Sequence, residues 1–242
     1  MRFVKPAVGD DGEGRKYEMH IEPGIVTGAK LALSYATAAG AATYSAKLIW
    51  EALRDRGVLS LVGRAAIATV AVFIFFELLP HVAVGVSEVH FILGSTLLLI
   101  LGTAPAAIGL ALGLLIQGTL FAQSDLPQYA MNVTTLLVPL LGLHVLSKHV
   151  IAKSTAYVDL TFKQCLAMSA TYQGGIVAWV AFWAFYGSGF GAENVSAVLS
   201  FGAAYMLVLL IEPFADLAVL AGAKSMRKLD GSALVTPRLY SV

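Results

Sequence analysis

Long apolar runs bounded by charge, glycine or proline dominate the chain. Residues 126–147 contain no Asp, Glu, Lys or Arg over 22 positions, and residues 164–192 none over 29. Residues 89–124 contain none over 36. At about 1.5 Å per helical residue, that run is too long for one crossing of a hydrocarbon core about 30 Å thick. Gly102-Thr-Ala-Pro105 divides it into a short helix near 89–101 and a full one near 104–122. A proline in the first turn of the new helix forfeits no hydrogen bond there. Three weaker runs complete the set. Residues 25–50 are rich in Ala and Gly, with Lys30 and Lys47 near the ends; residues 65–79 lie between Arg64 and Pro80; residues 195–223 are expected to kink at Glu212-Pro213. The pattern predicts an all-α, polytopic membrane helix bundle of seven transmembrane helices over residues 19–223. A flexible tail, 1–18, precedes it and a cytoplasmic tail, 224–242, follows.

Composition supports lipid as the solvent. The 242 residues are 58% hydrophobic and 13% charged, with a mean hydropathy of +0.78, whereas a soluble domain is about 25% charged. The net charge of +1 provides no field to gather nucleic acid. A single cysteine, Cys165, excludes an intrachain disulfide and a cysteine metal cluster. The first 18 residues hold four basic and four acidic side chains and no apolar core segment, so they do not read as a signal peptide.

Lys and Arg set the orientation. One set of connections carries Arg54, Arg56 and Arg64, then Lys148, Lys153 and Lys163, then Lys224, Arg227, Lys228 and Arg238 in the tail. The alternate set, 80–88, 123–130 and 187–194, carries neither residue type. The C-terminus is therefore expected in the cytoplasm and the N-terminus outside. The basic residues of 1–18 run against this rule.

Polar groups at membrane depth mark candidate function. With that topology His20, Glu22, Glu77, His81, Glu88, His90, Gln117 and Asn132 all fall towards the outer side. A third helix of about 13 residues rises only about 20 Å, so irregular backbone must fill the remaining depth. Such backbone is tolerated where it is buried in protein or lines a cavity, which suggests an outward pocket near His90. His81 and His144 also fit an interfacial histidine bonded to a carbonyl, and Glu77 and Glu88 also fit solvated acids at the rim.

The stretch Pro80-His-Val-Ala-Val-Gly-Val-Ser-Glu-Val-His90, the later Leu-Leu-Ile-Gln117-Gly-Thr-Leu-Phe and Met131-Asn132-Val, and Met19-His20-Ile-Glu-Pro-Gly24 at the start occur in order. Together they resemble the cobalt/nickel substrate-binding (S) subunits of energy-coupling-factor transporters, the CbiM/NikM family. The resemblance runs from Met19 to about residue 150. It implies that Co2+ or Ni2+ is the transported substrate and that the metal is held by Met19, His20 and His90. The terminal amine, the amide and imidazole of His20 and the His90 ring would supply the ligands, with Ser87 and Asn132 behind them. An all-nitrogen, tetragonal set suits Ni(II) or Cu(II). Met19 is internal in this chain, so a free amine requires a start at Met19 or removal of the tail. Otherwise Glu22 or Glu88 would replace it and harden the site.

No G-x-x-x-x-G-K-[ST] loop occurs, so the chain reads as a transporter subunit without its own ATPase and not as an enzyme. The resemblance implies a membrane-coupling subunit, cytoplasmic ATPases and a small accessory membrane protein as partners. Ala32, Ala36 and Gly40 offer a small-residue docking stripe on the first helix. The alternative is a secondary transporter or channel-type subunit for another cation or solute, with Glu77, Glu88, Glu212 and Asp216 as a relay. A structural membrane scaffold is a third class. An intramembrane hydrolase fails because H-E-x-x-H and G-x-S-x-G are absent.

Overall fold

The computed structural model describes residues 26–241. The expected tail 1–18 and Met19, His20 and Glu22 lie outside the described residues. The described chain is an all-α membrane bundle, interrupted by one small β-hairpin. Helices α1 (Leu31–Glu77), α2 (Gly94–Leu101), α3 (Thr103–Leu120), α4 (Tyr129–Val150), α5 (Phe162–Ser188), α6 (Ala192–Met206) and α7 (Glu212–Ser225) follow in order. Strands β1 (Val82–Val84) and β2 (Ser87–Val89) stand between α1 and α2. Among the described residues, five helical segments are long and apolar enough to cross a membrane.

The first of those segments contains two limbs. Gly57 has φ 75° and ψ 173°, a conformation that a residue without Cβ adopts freely. It divides α1 into limbs 31–56 and 58–77, about 39 and 30 Å long. Leu48 from the first limb and Leu61 from the second share a small apolar cluster with Ala104 of α3. The connection expected over 51–64 is therefore helical except at Gly57. Arg64, read from sequence as a loop cation, is 3% exposed. Its Nη1 donates to the Leu101 carbonyl at 2.8 Å and its Nε to Ser60 at 3.3 Å.

That contact explains the break between α2 and α3. The last carbonyls of a helix lack intrahelical partners and carry partial negative charge. Gly102, at φ 90° and ψ 160°, ends α2, and the Arg64 guanidinium satisfies the exposed carbonyl. The short helix expected near 89–101 begins only at Gly94, so α2 rises about 12 Å. The residues before it form the hairpin, because Val82–Val89 is rich in β-branched residues around a Gly-Val turn.

Helix α3 packs against the second limb of α1 through Gly109 and Gly113. A Cβ on Gly109 would fall 2.3 Å from the Ala68 Cβ, and one on Gly113 would fall 2.6 Å from Val72 Cγ1. This close approach is the usual use of small residues four apart in membrane helices. By contrast, Ala32, Ala36 and Gly40 are exposed, so the bundle itself does not use that stripe. Helix α5 opens with a capping box between Thr161 and Gln164, which satisfies two free amides at once.

Residues 207–210 form a 3-10 turn between α6 and α7, and Glu212-Pro213 opens α7. The expected kink is thus a change of helix type just before the proline. Lipid-facing surface is plain along this segment, where Leu207, Leu210, Ile211 and Phe214 are all exposed. Such a face is unfavourable in water and natural in hydrocarbon.

The connections collect at two ends. At one end Lys30 donates to the carbonyls of Tyr186 and Gly187 at 2.9 and 3.0 Å, and the hairpin lies on α6. At the other end lie Gly57, Gly102 and the link between α4 and α5. The segment after α7 crosses this second end as a strap. Arg56 donates to the Ser232 carbonyl, Ser60 to Ala233, the Thr236 amide to Ile100 and Arg238 to Ala152. Leu239 of the strap is itself fully buried. Tyr157, in the turn before α5, sits under the Arg238 guanidinium at 5.1 Å. Burial pushes its hydroxyl above the usual tyrosine range, and the arginine opposes that shift.

Candidate metal-binding site

The hairpin converts a run of alternating residues into one buried face. Side chains on a strand point to opposite sides in turn. Val86, Glu88 and His90 are 5, 4 and 3% exposed, whereas Ser87 and Val89 between them are only half-buried. The strands pair antiparallel with Val84 opposite Ser87, leaving Gly85-Val86 as a two-residue turn. Gly85 has φ +63°, as a tight turn with glycine first requires. Its missing Cβ also lets the turn sit on α6, because a Cβ there would lie 2.0 Å from the Ala197 carbonyl oxygen.

His90 is held on several sides. Its Nε2 is 3.3 Å from Glu88 Oε2. The edge of Phe76 meets the ring at 5.1 Å between centroids, and the His81 ring stacks on it at 5.3 Å. His81 Nδ1 is 3.3 Å from the Leu79 carbonyl. Ser87, Glu88 and His90 line a cavity of about 20 Å³ with Phe76, Thr135 and Tyr205. That volume admits one water-sized occupant. Four helices close it, with α1, α4, α5 and α6 each contributing side chains.

A buried carboxylate beside an imidazole fits two roles, as a pair of donors to a cation or as an orienting partner behind a ligating ring. Among the described residues no three His, Cys, Asp or Glu side chains converge on one metal position. Glu88 and His90 would therefore be part of a donor set that other groups complete.

Of the expected site residues, Ser87 borders the same cavity as His90. Asn132 lines a neighbouring cavity of about 10 Å³ with Asp125 and Tyr129. Met19 and His20 lie outside the described residues. Glu77 is half-buried near the end of α1, and His144 bonds Thr103 Oγ1 through Nδ1 at 2.8 Å, away from His90. Sequence reasoning did not single out Thr135 or Tyr205, which reach the cavity from α4 and α6. Nothing in their local sequence separates them from other polar residues of apolar helices.

The described residues thus form a multi-pass helical membrane bundle with a buried Glu–His pair beside a small cavity. The family model for the cobalt uptake substrate-specific transmembrane region matches residues 20–229. The chain belongs to that family, CbiM, whose members are the membrane components of cobalt uptake. No curated protein and no solved structure matches the chain.

Proposed function

We propose that this chain is the substrate-capture subunit of an energy-coupling-factor importer in the bacterial inner membrane, and that it binds Co2+ or Ni2+ at the end carrying the hairpin. The observation that supports this most directly is the position of His90. It is 3% exposed, lies against the Glu88 carboxylate and borders an ion-sized cavity in a chain of a cobalt uptake family.

In this reading Met19 and His20 bring the remaining nitrogen ligands over the cavity and His90 completes the set. Glu88 orients the imidazole or supplies an oxygen where no free amine is present. Ser87 steadies the hairpin and Asn132 the neighbouring helix. In the same reading the strap faces the cytoplasm, which the basic residues of the connections at that end support. There, and along the exposed Ala32, Ala36 and Gly40 stripe, the coupling subunit and its ATPases would engage.

The test compares purified protein beginning at Met19 with the 1–242 form, and each with its His90→Ala variant. Bound cobalt and nickel are counted by mass spectrometry after dialysis. Near-stoichiometric metal in the parent and at least tenfold less in the variant is the expected result. Full retention in His90→Ala rules the site out, and equal binding by both lengths removes the requirement for a free amine.

A further inference from the structure

A second polar cluster lies within the bundle, away from the hairpin. Glu212 and Asp216, one turn apart on α7, are both fully buried. Asp216 accepts hydrogen bonds from Ser95 Oγ at 2.8 Å and Ser169 Oγ at 3.2 Å through Oδ2, and from Thr96 Oγ1 through Oδ1. Glu212 Oε2 accepts from Gln173 Nε2 at 2.7 Å. Its other oxygen, Oε1, is 3.2 Å from the same Ser95 Oγ.

Ser95 has one hydroxyl hydrogen and meets two carboxyl oxygens. If that hydrogen goes to Asp216, the closer partner, Glu212 Oε1 faces a lone pair. Two facing lone pairs repel, so a proton must lie between them, and Glu212 is the group left to carry it. Each hydrogen is then used once. Asp216 collects three hydroxyl donors as an anion, and Glu212 donates from Oε1 to Ser95 while accepting from Gln173 at Oε2.

The surroundings favour this division. Ser95 and Thr96 belong to the first turn of α2, whose unpaired amides carry partial positive charge. An anion at Asp216 is therefore supported. A second anion beside it is not, because no Lys, Arg or His among the described residues pairs with either acid. The other titratable groups facing the pair are Cys165 and Tyr172 on α5 and Tyr205 on α6. The Lys224–Asp159 pair, at 2.6 Å, lies on the exposed far end of α7.

An independent feature also points to exchange at this position. The Tyr172 side chain is fully buried, and its hydroxyl has no hydrogen-bond partner. Its Cζ lies 2.2 Å from where a Cβ on Gly94 would stand, which sets the ring against the start of α2, the turn that carries Ser95. Gln173 Oε1 is likewise buried without a partner. An unpartnered acceptor thus belongs to the amide that bonds the carboxyl, and an unpartnered donor to the residue preceding it on α5. Glu212 itself is the first residue of α7, separated by Ile211 alone from the 3-10 turn that follows α6, a joint at which the backbone ladder is already interrupted.

We propose that Glu212 and Asp216 form a buried proton-binding site, in which Glu212 holds one exchangeable proton against Ser95 and Asp216 carries the single negative charge. Loss of that proton would leave two anions in a dry site. Tyr172 would then turn its hydroxyl towards Glu212. The site is independent of the metal ligands, and its failure would leave the reading of His90 untouched.

The experiment is infrared spectroscopy of the purified full chain in detergent, near neutral pH and in sodium-free buffer. The expected spectrum contains a carboxylic-acid carbonyl band equal to one group per chain, shifted in deuterated water. The band is lost in Glu212→Gln and kept in Glu77→Gln. Ser95→Ala, which keeps both acids, moves the band to higher frequency because the proton loses its acceptor. Absence of the band in the parent protein, its persistence in Glu212→Gln or an unmoved band in Ser95→Ala overturns the proposal. Disappearance of the band on adding sodium but not choline chloride also overturns it, by assigning the site to a metal cation.

Discussion

Replacing Gly85 with alanine probes how the hairpin is held over its cavity. The added methyl meets two obstacles. At φ +63° a residue with Cβ costs about 1–2 kcal/mol relative to glycine. The new Cβ would also stand 2.0 Å from the Ala197 carbonyl oxygen and 2.9 Å from its carbon. Both atoms are backbone of α6, so relief requires the hairpin and the helix to part by about 1 Å, and overpacking of this kind costs about 1–3 kcal/mol. Together these give about 2–5 kcal/mol. For a chain of this size, each kcal/mol moves the melting temperature by about 2–4 °C, which predicts a drop of roughly 4–20 °C. Because β2 carries Glu88 and leads directly to His90, cobalt affinity should fall in the same variant. Gly142→Ala is the control, since nothing lies within 4 Å of a Cβ there and alanine is the better helix former by about 1 kcal/mol. Thermal unfolding in detergent and cobalt titration are measured for both. A Gly85→Ala protein that melts and binds like the parent would refute the packing described for the turn.

Two further substitutions test the internal joints of the bundle. Arg64→Ala removes the donor to the Leu101 carbonyl and leaves the end of α2 unsatisfied in a buried position; a loss of about 1.5–3 kcal/mol should appear as a lower melting temperature, and an unchanged melt would mean that water replaces the guanidinium fully. Gly109→Val places two methyls where Ala68 already stands and should force α3 away from α1, seen as loss of a monodisperse peak in size-exclusion chromatography, whereas Gly174→Ala on α5, where a Cβ meets open space, should elute unchanged.

Much of this architecture was legible from composition and run length, because hydrocarbon imposes simple demands. A segment free of charge for 20 residues or more has few other fates, and α3, α4 and α5 fall close to the runs at 104–122, 126–147 and 164–192. The break at Gly102, the kink before Pro213 and the irregular backbone before α2 were legible too, since glycine, proline and insufficient length each point to a local interruption. The hairpin was less so. Its strands are three residues long, too short for alternation to stand out from an apolar run. The Gly109-x-x-x-Gly113 spacing was present in plain sight, but small residues are frequent in this chain and only the α1 surface distinguishes this pair from the exposed stripe at Ala32, Ala36 and Gly40.

The amino-acid sequence alone indicated that this protein lives in lipid and that its helices are interrupted at Gly102 and before Pro213, and the resemblance of its motifs drew attention to His90. Those properties depend on local chemistry and on the solvent. Tertiary structure decided which polar groups share a space. Glu88 and His90 meet because strand alternation and the Gly85 turn aim both inwards. Glu212 and Asp216 meet Ser95, Thr96, Ser169 and Gln173 only because α2, α5 and α7 converge, across separations of up to 121 residues. Burial in a medium that cannot solvate charge makes each such meeting consequential, and no local pattern encodes it.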